Sequence, residues 1–137
     1  MENQSRRKFI TSIAALSAAT AVSGNILMKM ETKKKKQISH HVFFWLKNPS
    51  SKEDLNKLIE GVRTLEKINT IREFHIGIPA STELRPVVDA SYSVSELLFF
   101  DDIEGQIIYQ EHPLHQKFVE NYSHLWEKVI VYDSLKI

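Results

Sequence analysis

Apolar side chains recur along this chain in blocks of two periods. From Ile38 to Lys47 the period is two: Ile38, His40, Val42, Phe44 and Leu46 alternate with Ser39, His41, Phe43 and Trp45. Successive side chains of a strand point to opposite faces. This block therefore predicts a strand with bulky apolar groups on both faces. An antiparallel sheet covered by helices on one side needs only one. Phe43 and Trp45 predict a second cover, most simply the sheet of another copy of the chain. Next, Leu55, Leu58, Ile59, Val62, Leu65 and Ile68 recur at helical spacing and predict a helix from about Lys52 to Lys67. Ser50 and Glu53 fit a capping box at its start.

Thr70 to Ile78 predicts a second strand, with Ile71, His75 and Gly77 alternating against Phe74, Ile76 and Ile78 until Pro79 ends it. Ala80 to Ala90 shows neither period and predicts a long loop. Tyr92 to Phe100 is dense in apolar residues and predicts a third strand. Asp101-Asp102 caps a short helix in which Ile103, Ile107 and Ile108 are expected to face the core. His112-Pro113 interrupts that helix. Proline drives the residue before it out of the helical region and itself suits the first turn of a new helix. Leu114, Phe118, Val119 and Tyr122 continue at helical spacing, and Trp126 to Leu135 predicts the last strand. The order β-α-β-β-α-β is that of a ferredoxin-like α+β domain with a four-stranded antiparallel sheet and helices on one side.

The N-terminal residues change this picture. Ser5-Arg6-Arg7-Lys8-Phe9-Ile10 is a basic start to an apolar run that ends near Val22, with small residues at candidate cleavage sites. The twin arginines are similar to the signal of the bacterial twin-arginine pathway, which exports folded proteins. A general secretory signal fits the same residues. Residues 1–24 are thus read as an export signal, with the periplasm as destination and the signal as the only membrane contact. Residues 25–37, with Lys33 to Lys36, are read as a solvated basic linker. The folded domain is residues 38–137. Residues 1–36 carry a net charge of +6 and the remainder −5. An acidic domain argues against a nucleic-acid partner. The chain has no cysteine, so disulfides, thiol catalysis and cysteine metal sites are excluded.

Chemistry is concentrated in Tyr109-Gln110-Glu111-His112-Pro113-Leu114-His115. Pro113 puts His115 in the first turn of a helix, where the dipole disfavours an imidazolium and leaves a neutral ring able to act as base. Tyr109, on the helix before the break, supplies a phenol. His112 and Pro113 are read as structural, the first as a cap. His40 shares the helix-facing side of its strand with Phe44, and Asp133 on the last strand can orient a histidine. His112-x-x-His115 is half a metal site, but no HExxH pattern accompanies it and no metal is predicted. Nucleotide-binding loops and a nucleophile elbow are also missing, and no cofactor is predicted.

Taken together, His40, Lys47, Gly77, Tyr-x-x-His-Pro-x-His at 109–115 and Val-Tyr-Asp at 131–133 resemble the stress-responsive A/B barrel domain (Dabb) family. The resemblance covers about Ile38 to Leu135. It implies a ferredoxin-like subunit whose sheet packs on a partner's sheet in a dimeric α+β barrel, here through Phe43 and Trp45. The family includes a plant polyketide cyclase that works by intramolecular aldol condensation. By match to its motif, Tyr109 and His115 correspond to catalytic residues, and His40 and Asp133 to residues at its pocket. With Phe44 these last two form the expected substrate-binding set. The export signal, the linker and the longer Pro79–Asp89 loop depart from that enzyme. Three readings stay open. One is a proton-transfer enzyme of cyclase, isomerase or lyase type acting on an unknown small molecule. The second is a non-catalytic ligand-binding or stress-response dimer. The third is a monooxygenase of the dimeric α/β-barrel type.

Overall fold

The computed structural model describes residues 34–137. The expected export signal (residues 1–24) and most of the expected basic linker (residues 25–37) lie outside the described residues. Strand β1 (Ile38–Leu46) leads to helix α1 (Lys52–Arg63) and a 3-10 turn (Thr64–Lys67). Strands β2 (Ile71–Gly77) and β3 (Val94–Phe100) follow, then helices α2 (Ile103–Glu111) and α3 (Pro113–Tyr122), a 3-10 turn (Ser123–Leu125) and strand β4 (Trp126–Leu135). The strands form one antiparallel sheet in the order β2-β3-β1-β4. This is the ferredoxin-like α+β arrangement.

Alternation along β1 is strict: Ile38, His40, Val42, Phe44 and Leu46 are buried, while the residues between them are half-buried. The buried face meets Leu58, Val62 and Leu65 of the first helical segment, Ile68 just after it, Val94, Leu98 and Phe100 of β3, Tyr109 of α2 and Phe118 of α3. Among the described residues the opposite face is bare of helices, and it carries an aromatic group. Phe43 packs on His41, Tyr92 and Tyr132 at centroid distances of 4.2, 4.9 and 6.1 Å. Trp45 donates from Nε1 to Ser91 Oγ at 3.0 Å, and Lys128 Nζ lies 4.5 Å from the centre of the Trp45 ring.

Several local expectations are corrected. Helix α1 is capped by Ser51, whose Oγ accepts from the Asp54 amide at 3.1 Å, and not by Ser50, which turns back to Asn48. In β2 the register shifts between Ile71 and Glu73. That irregularity puts Ile71 on the core side with Phe74 and Ile76, where unbroken alternation would face it away. The largest change concerns α2. Ile103, Ile107 and Ile108 were expected to face the core but are 58, 46 and 44% exposed. Tyr109 is the buried residue of this helix and sets its inward direction. At about 100° per residue, Ile108, Ile103 and Ile107 then lie roughly 100°, 120° and 160° away from it. Asp102 fixes the helix start by accepting from the Gly105 amide at 2.8 Å, and Lys35 reaches the other oxygen of Asp102 at 3.1 Å.

Between α2 and α3 the chain leaves helical geometry for a single residue. His112 has φ −63° and ψ 139°, and its Nδ1 accepts from the Leu114 amide at 3.0 Å. It is the N-cap of α3, and Pro113 occupies the first helical position. Tyr122 at the far end of α3 lies against α1 at Gly61, where a Cβ would stand 2.6 Å from the tyrosine ring.

Candidate functional site

Three elements converge under the helices. Strand β1 presents His40 on the core side, opposite Leu98 of β3 and Asp133 of β4. The ring is 4% exposed, and its Nδ1 lies 2.5 Å from Asp133 Oδ1. Asp133 is half exposed, so the pair runs from the core to the sheet edge. With Nδ1–H donating to the Asp133 oxygen, Nε2 is the ring nitrogen left for another partner.

Helix α2 contributes Tyr109, whose ring lies 5.5 Å from His40 and 5.2 Å from Phe100. Helix α3 contributes His115, edge-on to Tyr109 at 5.0 Å and followed by Phe118 at 6.4 Å. Burial, and next the neighbouring His40, hold the His115 pKa below that of a free histidine. Its ring is therefore neutral at neutral pH and able to accept a proton.

The tyrosine hydroxyl has a partner that the sequence reading missed. Tyr109 donates to Glu96 Oε1 at 2.9 Å. Glu96 is 1% exposed, on the core side of β3 between Val94 and Leu98. Burial raises its carboxyl to about 7, against an opposing effect of the Tyr109 hydrogen bond. Burial, followed by the charge and hydrogen bond of Glu96, also raises the Tyr109 pKa, so the phenol stays protonated. A signal was present in the sequence. Glu96 shares the parity of Val94, Leu98 and Phe100, and an acid on the inward face of an apolar strand needs a buried partner.

Beside this cluster, a cleft of about 280 Å³ opens between α2 and β4, lined by Ile38, Ile103, Gln106, Asp133, Ser134 and Leu135. Asp133 is its link to His40. Of the residues singled out by sequence, the structure brings together His40, Tyr109, His115 and Asp133. It does not bring Phe44 to the cleft: that ring packs on Trp126 at 5.1 Å and Phe118 at 6.1 Å. Among the described residues, no group of three His, Cys, Asp or Glu is placed to hold a metal ion, and no helix is long and apolar enough to cross a membrane.

Comparison with known proteins places the fold. A Dabb family protein with a ferredoxin-like fold from Mesorhizobium loti is similar at 23% identity, over 75% of this chain and 99% of that one, with a TM-score of 0.62. A dimeric ferredoxin-like protein of unknown function from Thermobifida fusca aligns at 15% identity, over 75% of this chain and 93% of that one, with a TM-score of 0.60. The hydroxynitrile lyase of Passiflora edulis aligns at 19% identity, over 74% of this chain and 94% of that one, with a TM-score of 0.59. No curated protein matches the chain by sequence. Residues 38–135, which span the whole sheet and the helices described above, match the model of the stress responsive A/B barrel domain, and the chain belongs to this Dabb family.

Proposed function

We propose that this chain is a homodimeric enzyme that binds a small carbonyl-containing or apolar molecule and moves a proton, as a cyclase, isomerase or lyase does. The observation that carries the reading is the meeting of His40, Tyr109 and His115, from three separate elements, beside a cleft walled by Asp133. His115 is the base. It takes a proton from the carbon next to a carbonyl, or from the hydroxyl of a cyanohydrin-like substrate, and returns it to the product. Tyr109 is the hydrogen-bond donor to the oxygen on which negative charge develops. The His40–Asp133 pair binds the substrate at the mouth of the cleft. The lyase among the structural neighbours supports this class of reaction.

His115→Ala should lower kcat/KM at least about a hundredfold, with an unchanged melting temperature. The assays are benzaldehyde release from mandelonitrile and α-deuterium exchange on a panel of ketones. Turnover equal to that of the wild type would refute the assignment. Ligand-induced thermal stabilisation with no turnover by either protein would instead support a non-catalytic binding protein.

The helix-free sheet face is proposed as the dimer contact, with Phe43 and Trp45 at its centre. The dimeric relatives support this reading. Export through the twin-arginine pathway is proposed from Arg6-Arg7-Lys8-Phe9-Ile10. The full chain should reach the periplasm of a host with a working twin-arginine translocase and stay inside one without it. Equal export by both hosts would point to the general secretory route.

A further inference from the structure

We infer that Glu96 is a positioning residue for Tyr109, its carboxyl deciding whether the phenol hydrogen is held by the strand or is free for the oxygen of a bound carbonyl compound. The inference rests on the proposed role of Tyr109 as donor to the substrate. Its ground is geometric. The hydroxyl of Tyr109 has one hydrogen, and that hydrogen is donated to Glu96 Oε1 at 2.9 Å. A phenol so committed cannot also donate to a ligand. An ionised carboxylate only accepts, so it holds the hydrogen in this direction. A protonated carboxyl can donate to the phenol oxygen instead, and the phenol hydrogen is then released from Glu96. The two states differ by one proton on Glu96 and by which way one hydrogen points.

The surroundings of Glu96 allow both states. Its strand partners are Val42 on β1 and Ile76 on β2, and the buried residues of α1 are Leu58, Gly61 and Val62. Helix α2 contributes Tyr109, which is uncharged. The titratable rings of the cluster are His115 on α3 and His40 on β1. Both lie against Tyr109, and neither is a hydrogen-bond partner of Glu96. Among the described residues no cation is paired with the carboxyl, so none of them fixes it in the ionised form. Burial places its proton exchange at about pH 7, where a modest change of pH changes the state of the pair.

The test uses the folded protein, its Glu96→Gln and Tyr109→Phe variants, and benzaldehyde as the carbonyl probe. Ultraviolet resonance Raman distinguishes a phenol that only donates from one that also accepts, and subtracting the Tyr109→Phe spectrum isolates Tyr109. In the wild type the signal should change from donor to acceptor as pH falls from 8.5 to 5.5, with a midpoint near 7. In Glu96→Gln it should be constant. A wild-type signal that does not change with pH, or a variant that keeps the change, overturns the inference. Benzaldehyde should bind the wild type about tenfold more weakly at pH 8.5 than at pH 5.5, the worth of one hydrogen bond, and bind Glu96→Gln equally at both. A pH-dependent Raman signal with benzaldehyde binding that ignores pH would overturn the positioning role. Failure of benzaldehyde to bind at either pH, with the Raman change intact, would sink the substrate reading and leave the coupling of Glu96 to Tyr109 standing.

Discussion

Raising the pH from 4.5 to 8 should cost the folded protein about 3 kcal/mol of stability through Glu96 alone, and Glu96→Gln should remove that loss. The carboxyl is raised by burial from 4.5 to about 7. Between those values the folded protein keeps a proton that the unfolded chain has released. Stability is therefore highest below the lower value and falls until pH passes the upper one. A glutamine keeps the size of the side chain and can hydrogen-bond to Tyr109, but has no charge to bury. Leucine is the poorer choice, since it would leave the Tyr109 hydroxyl buried without a partner, at a cost of about 1–3 kcal/mol. His41 and His115, both lowered chiefly by burial, act in the opposite direction. They weaken the fold as pH falls below the ordinary histidine value. The difference between wild type and Glu96→Gln isolates the glutamate. Urea unfolding at pH 4.5, 6 and 8 measures it. A wild-type profile that parallels the variant at all three would show that Glu96 ionises in the folded state as easily as in the unfolded one.

Phe43→Glu should turn the proposed dimer into monomers at micromolar concentration. Phe43 is the hub of the aromatic group on the helix-free face, in contact with His41, Tyr92 and Tyr132. It pairs across the strands with Ile130 and Ser95, neither of which can neutralise a carboxylate. Association would bury one such charge from each copy, at several kcal/mol per ion. Even about 4 kcal/mol is a roughly thousandfold loss of affinity. Trp45 is less suited to the test, because Lys128 over its ring could pair with an acid placed there. Light scattering combined with size exclusion reads the result, and circular dichroism checks the fold. A dimer of unchanged affinity would place the contact elsewhere.

The sheet was legible in the sequence because β1 carries its faces in simple alternation. The bounds Trp126–Leu135 and the facing of His40 toward Asp133 follow from parity once the strand order is known. The faces of α2 were not legible. Three isoleucines outweigh one tyrosine in any count of apolar residues, yet the tyrosine is the residue with a buried partner. That partner, Glu96, escaped notice because β3 reads as a solid apolar block in which one acid passes as an exception. The core position of Ile71 depends on a strand irregularity that alternation cannot foresee. The Ser50–Glu53 pairing failed by one residue, because Asn48 competes for the Ser50 hydroxyl.

One consequence of the single extended residue at His112 reaches beyond capping. In an unbroken helix, residues six apart point about 120° away from each other and stand roughly 9 Å apart along the axis. Tyr109 and His115 are six apart, yet their rings meet at 5.0 Å. Their meeting is thus made by the hinge in the chain and by no feature of the two side chains themselves. The motif is a statement about backbone direction. A sequence that kept the tyrosine and both histidines but let the helix run straight through would hold every reactive group and no site.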